Sequence, residues 1–281
     1  MIYYGILTYN IKDCGNALRK FFTNKPVLTH AEVLSCLGKA YSSNERSQAS
    51  FLSYHIREGH LLRIRRGLYA VVPPGSDPVS CAFDPFLVAG KLAQDAVLAY
   101  HTALEFHGKA HSVFERCYVQ SAKAIRTTQF RSYRFECVPF PKSLREKGKT
   151  HFATKVADRS GVEITVATLE RTLVDLLDRP KYGGGWEEIW RSLESVEFFD
   201  LDLVVEYTRL LDNGTTAAKV GYYLEQHAEA LMVEDKHLEP LRASRPKQPH
   251  YLERGKRGKL ISAWNIVVPT ALAERSWEEF S

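Results

Sequence analysis

Between residues 45 and 72 the spacing of apolar positions changes period. In "SSNERSQASFLSYHIREG" Ala49, Leu52 and Ile56 recur at helical spacing, which predicts a helix with an inward apolar stripe, Ser43 as its N-cap and Gly59 as its stop. Directly after it, Leu61 to Arg65 and Leu68 to Val72 read as two short strands joined through Arg66-Gly67, a pair that suits a tight hairpin turn. Leu62, Ile64 and Leu68 are expected to face the helices. Upstream, "DCGNALRKFFT" and "LTHAEVLSCLGKA" predict two more helices, the second opened by Thr29 with Glu32 three residues later as a capping box.

Helix, helix, helix, hairpin in about 70 residues is the order of a winged helix-turn-helix. The cluster "VVPPGSDPVSCAFDP", with four prolines and a glycine, cannot continue a strand or helix and marks a linker. Beyond it, "DPFLVAGKLA" predicts a helix opened by Asp84 and Pro85, and "HTALEFHG" another ended by Gly108. "RCYVQSA", "RSYRFECVPF" and "VEITVA" are rich in β-branched or aromatic residues and predict strands. Helices follow at "TLERTLVDLLDRP", capped by Thr168, "GWEEIWRSLESV", "DLDLVVEYTRLLD" and "TTAAKVGYYLEQHAEALM", and "LISAWNIVVP" predicts a last strand. The fold class is therefore α+β, with residues 1–74 as a winged helix-turn-helix and residues 75–281 as a mixed α/β domain.

Charge sharpens this division. Residues 1–72 hold ten Lys/Arg against four Asp/Glu, or +6, within a chain whose net charge is +5. The excess sits in the first quarter, as expected when one domain meets a polyanion and the other does not. A second basic stretch, "RASRPKQPHYLERGKRGK" over 242–259, carries Arg242, Arg245, Lys247, Arg254, Lys256, Arg257 and Lys259 against the single acid Glu253. It reads first as a solvated loop, and otherwise as an additional nucleic-acid contact or a docking surface for a partner. The apolar runs fall far short of the roughly 20 residues of a membrane helix. "MIYYGILTY" lacks a basic leader and a small-residue cleavage site, and the five dispersed cysteines contain no CxxC pair, so a cytoplasmic protein with reduced thiols is expected.

On the predicted third helix, Ser43, Ser47, Ser50 and Tyr54 fall opposite the apolar stripe, flanked by Arg46 and Arg57 on one side and Asn44 and Gln48 on the other. These residue types read base edges and hold phosphates. In the hairpin the pleat sends Arg63 and Arg65 to one side, away from Leu62 and Ile64, and sets Arg66 at the tip, where guanidiniums suit phosphate or minor-groove contact. Double-stranded DNA is thus the expected partner, since an aromatic stacking platform for single strands is not evident from sequence.

Candidate catalytic chemistry is sparse. The chain contains no phosphate-binding glycine loop, nucleophile elbow or HExxH, and the glycines at 183–185 read as a helix break. His101, His107, His111 and Cys117 lack the paired spacing of a structural zinc site, so core and capping roles are expected for them. Arg171 and Asp175, four apart on one helix, read as a routine ion pair. No catalytic residue, metal or cofactor is expected. A DNA-targeted nuclease or nucleotide-modifying enzyme, with the winged helix as targeting module, is the alternative, and a small-molecule sensor is a third reading of the second domain.

The segments "HIREGHLLRIRRGLYAVV", "DPFLVAGKLAQDAVLAYHTALEFHG", "VATLERTLVDLLDRP" with "YGGG" after it, "KVGYYLE" and "WNIVVP" together resemble the AbiEi-type antitoxin family of bacterial abortive-infection systems. The Arg-Arg-Gly-x-Tyr motif from Arg65 to Tyr69 and the Glu170-Arg171-Thr172 helix start carry the likeness most specifically, and "MIYYGILTYNI" extends ahead of that family's usual first helix. The resemblance implies an N-terminal winged helix that binds inverted repeats in its own promoter as an autorepressor, and a C-terminal domain contributing to antitoxin activity. It also implies that the counterpart is a nucleotidyltransferase-like toxin with which no stable complex forms. The family supplies no catalytic residues to carry over.

Overall fold

The computed structural model describes residues 25–35, 45–253 and 255–274. The first predicted helix, the N-terminal extension, Ser43, Asn44 and Arg254 lie outside the described residues. The molecule is mixed α/β. It begins with β1 (Val27–Thr29), a helix α1 over 30–35, α2 (Glu45–Arg57), β2 (Leu61–Arg65) and β3 (Leu68–Val71). The three strands form an antiparallel sheet in the order β1-β3-β2.

The local signals act as read. Thr29 Oγ1 accepts from the Glu32 backbone N–H at 3.3 Å while Glu32 Oε2 accepts from Thr29 N at 2.8 Å, the reciprocal capping box. Helix α2 stops in a Schellman turn, with Gly59 N donating to Ile56 O and His60 N to His55 O. Gly59 has φ +73°, and a Cβ there would come within 2.7 Å of Pro78, so glycine is required for both the turn and the linker's approach.

The small sheet is covered on both faces. Leu28, Leu61, Tyr69 and Val71 pack with Val33 and Leu52 against the helices. Val27, Ile64, Leu68 and Ala70, with Leu62 beside them, face the other way, into a core shared with Leu87, Val97, Val119 and Phe135 of the larger part of the chain. The expectation that Leu62, Ile64 and Leu68 face the helices is thus reversed. Strand β3 is buried on both faces and shows no polar side, so alternation cannot tell which of its two apolar sets meets which neighbour.

The proline-rich segment after β3 is pinned by Arg131, whose guanidinium donates to Pro78 O (3.0 Å) and to Cys81 O. Next come α3 (Pro85–Gly90), β4 (Val97–Leu98), α4 (His101–Phe106), β5 (Arg116–Ser121), β6 (Thr128–Phe130), β7 (Tyr133–Pro139), α5 (Lys142–Glu146), β8 (Thr154–Arg159) and β9 (Val162–Ala167). Asp84 caps α3 as expected, accepting from Phe86 N and Leu87 N. The strands form a mixed six-stranded sheet, β6-β7-β5-β4-β9-β8. On β5, Cys117 and Val119 join the core shared with the small sheet, whereas Tyr118 joins the core on the opposite side.

That opposite core is helical. It is built by α6 (Leu169–Asp178), a 3-10 turn at Pro180–Tyr182, α7 (Trp186–Glu194), α8 (Leu201–Leu211), α9 (Gly214–Gln226) and α10 (Asp235–Ser244). Thr168 caps α6, and every residue from Arg171 to Leu177 is buried, so α6 is the central helix of the layer. The predicted terminal strand is instead two, β11 (Gly258–Ile261) and β12 (Ile266–Pro269), joined by a turn that buries Trp264. With β10 (His250–Tyr251) they make a third sheet, β10-β12-β11, followed by α11 (Thr270–Ala273). No helix among the described residues is long and apolar enough to cross a membrane.

Candidate nucleic-acid interface

The outward face of α2 is a line of polar side chains. Arg46, Ser50, Ser53, Tyr54 and Arg57 are exposed, at spacings that keep them on one side of the helix. Ser47 is half-buried. Gln48, expected on an outward flank, is only 8% exposed, whereas Ala49 of the expected inward stripe is exposed. The buried line is therefore Gln48–Leu52 with half-buried Phe51, His55 and Ile56, about one residue round from the predicted one. Packing on Leu28 and Tyr69 of the sheet sets this rotation, which a helical wheel drawn from α2 alone cannot supply. Ser53, absent from the predicted set, joins the outward face in consequence.

The helix end is chemically distinctive. Arg57 lies 5.7 Å from the centre of the Tyr54 ring and donates from Nε to Glu58 Oε1 at 3.3 Å. His55 and His60 face each other with their Nδ1 atoms 3.0 Å apart. Burial, then the neighbouring His60, lowers the His55 imidazole to about 4, so it is neutral at physiological pH.

In the hairpin the three arginines separate. Cα pairing runs Arg63↔Tyr69 and then Arg65↔Leu68, with a register shift that leaves Ile64 as the extra residue of a bulge. Arg63 thereby keeps to the face shared with Tyr69 and is exposed, and Arg66 is exposed at the turn. Arg65 is carried to the face shared with Leu68, where its Nη2 donates to Leu92 O just past the end of α3 and its Nε is buried without a partner. The expectation that Arg63 and Arg65 share one side is corrected by this bulge.

A second contact ties the same regions. Lys91 Nζ reaches both Glu32 oxygens, at 2.6 and 2.8 Å, and Lys25 Nζ lies 3.2 Å from Oε1. Burial raises the Glu32 carboxyl, but the hydrogen bonds from Lys91 and Thr29 outweigh it and hold the group down at about 2. The start of α1 is thus clamped to the end of α3.

The 242–259 stretch is not a simple tail. Arg242 sits in the last turn of α10, a helix with Pro240 in its interior. Its guanidinium donates to Glu225 (3.1 Å) and Glu239 (2.9 Å) and lies over Trp264, whose Nε1 donates to Glu225 Oε2 at 2.8 Å. That cation is spent on structure. Arg245, Lys247, Lys256, Arg257 and Lys259 are exposed, with Lys256 2.9 Å from Glu253.

The remaining candidates are interior. His101 is fully buried and stacked on Phe114, with Nε2 and Glu188 Oε1 3.0 Å apart and Nδ1 at 3.0 Å from Glu105 Oε1. His107 Nε2 meets Ala167 O at 2.8 Å, His111 is exposed, and burial pushes the Cys117 thiol up to about 12. Among the described residues no group of three or more His, Cys, Asp or Glu is placed to hold a metal ion. The Arg171–Asp175 ion pair expected from the i,i+4 spacing is present, and it is buried within a wider network. Arg171 donates to Thr150 O (2.8 Å), Phe152 O (2.7 Å) and Gln120 Oε1 (2.6 Å), with Nε 3.4 Å from Asp175 Oδ2, and Tyr207 Oη donates to Asp175 Oδ1 at 2.7 Å. It joins the six-stranded sheet to the helical layer.

Residues 16–72 match a family profile described as transcriptional regulator, AbiEi antitoxin, the family whose likeness the motifs carry. Across 95% of both chains the fold is similar to that of the RV2827C protein from Mycobacterium tuberculosis, known from a crystal structure, with a TM-score of 0.58 at 17% sequence identity. That likeness is one of fold. No curated protein matches the chain.

Proposed function

We propose that this chain is a DNA-binding autorepressor and antitoxin, in which residues 1–74 form a winged helix-turn-helix and residues 75–281 the antitoxin domain. The match of residues 16–72 to an antitoxin and transcriptional-regulator family carries the reading. Strand order β1-β3-β2, with α1 and α2 between β1 and β2, supports the winged arrangement. Helix α2 enters the major groove of inverted repeats in the chain's own promoter. Arg46, Ser47, Ser50, Ser53, Tyr54 and Arg57 face the bases and backbone, joined by Ser43 and Asn44, and Arg63 and Arg66 of the wing hold phosphates. Gln48 and Arg65 act from within, by supporting the packing of the unit. The counterpart is a nucleotidyltransferase-like toxin, countered without a stable complex, and the protein works in the cytoplasm without catalysis of its own.

The test pairs two measurements. A labelled fragment of the protein's own promoter is titrated at low salt, and growth rescue is scored on co-expression with the product of the neighbouring gene. Binding that weakens on Arg63→Ala with Arg66→Ala supports the reading, as does rescue of growth. A promoter fragment bound no better than unrelated duplex, or no rescue, overturns the corresponding half.

A further inference from the structure

The third sheet offers a surface of a different kind. Its inner side, through Leu252, Trp264, Ile266 and Val268, belongs to the helical core. On its outer side the register aligns Tyr251↔Val267 and Leu260↔Val267, so Tyr251, Val267 and Leu260 form one row across all three strands. Tyr251 is 56% exposed and Leu260 47% exposed, with Val267 half-buried between them. Adjacent strands lie about 4.8 Å apart, so the row spans roughly 10 Å, the reach of a base or two. Exposed cations lie in the chain on both sides of β10: Arg245 and Lys247 lead into it, and Lys256 and Arg257 follow, whereas Lys259 pairs with Val268 and belongs to the other face.

We infer that this sheet is a platform for single-stranded nucleic acid, on which Tyr251 stacks an unpaired base and the flanking cations hold the phosphates. An aromatic face on an open sheet can take a base only when that base is unstacked from a partner strand, which distinguishes this surface from the groove-reading α2. An acidic protein surface would satisfy the cations but would leave the Tyr251–Leu260 row without a flat partner. The inference is independent of promoter recognition, because none of its residues lies in the α2 and hairpin unit.

The test uses the full chain and fluorescence anisotropy with labelled oligouridylate and oligothymidylate of about ten nucleotides, a length within the usual site sizes. Poly-glutamate is the competitor, and the promoter duplex is titrated in parallel. Binding of either oligomer, weakened at least fivefold by Tyr251→Ala but largely kept by Tyr251→Phe, with promoter binding and melting temperature unchanged, supports the platform. The two oligomers distinguish RNA from DNA as its occupant. Lys247→Glu with Arg257→Glu should steepen the loss. The inference is overturned if neither oligomer binds, if Tyr251→Ala leaves binding unchanged, or if poly-glutamate displaces the oligomers as well as a matching strand does.

Discussion

Arg63 and Arg65, two positions apart on one strand, lie on opposite faces of the small sheet because the bulge at Ile64 turns the second toward Leu92. One arginine faces solvent and the other closes an internal seam. The same residue type two places apart therefore has two jobs, and the two can be separated by experiment.

For the wing, Arg63→Ala and Arg66→Ala should each lower the slope of log affinity against log salt by about one unit, with little change in melting temperature. Arg65→Ala should do the reverse, leaving the slope unchanged and costing about 1–3 kcal/mol of stability through the lost contact with Leu92. Promoter titration across a salt series, paired with denaturant melts, reads both. A slope change on Arg65→Ala that matched Arg63→Ala would place Arg65 on the DNA side.

Acid should open the clamp between α1 and α3. The folded Glu32 carboxyl is held at about 2, below its ordinary 4.5, so its contribution is complete above about 4.5 and fades as pH falls toward 2. Glu32→Gln should cost on the order of 2–3 kcal/mol at neutral pH. Urea melts of both proteins between pH 6 and pH 2 should therefore converge at the acid end. A gap independent of pH would mean that the ion pair with Lys91 contributes nothing.

The buried network should be intolerant of half-removal. Arg171→Met strands Asp175 without its cation in the interior, a change expected to cost about 3–5 kcal/mol. Pairing it with Asp175→Leu should recover part of that loss, since both charges then leave together. A double-mutant cycle in guanidinium melts measures the coupling, and strictly additive losses would contradict the network.

Residues 1–74 alone should behave poorly. Cutting there uncovers Val27, Ile64, Leu68 and Ala70 together and removes both Lys91 and Leu92 from their partners. Contiguous apolar surface of that kind drives association. Size-exclusion chromatography and circular dichroism should show an aggregating or weakly folded fragment, and a monomer with a sharp transition would show that the seam is dispensable.

The sequence exposed what is local. The Thr29–Glu32 box, the Gly59 stop, the Asp84 and Thr168 caps and the Arg66-Gly67 turn each depend on a few neighbouring residues, and all appear as read. What escaped depends on distant partners. Strand β1 is three residues long and shows no alternation, and α10 carries Pro240 where a helix is not expected. Arg171 and Asp175 have the spacing of a surface pair, and only Gln120, Thr150 and Tyr207 from other elements make them interior. The bulge at Ile64 has no sequence mark, and it decides which arginines are available to a ligand. Tyr251 became a candidate only once β12 aligned it with Leu260.

The small sheet that serves as a wall between two cores also fixes a distance. Because α2 is seated on one side of that wall and the six-stranded sheet on the other, that helix is not carried on a tether whose length sets its reach. In a twofold assembly on an operator, the separation of the two reading helices would follow from how the large halves of the protein meet. Half-site spacing, measured in base pairs, would then be a property written into residues 75–281 rather than into α2.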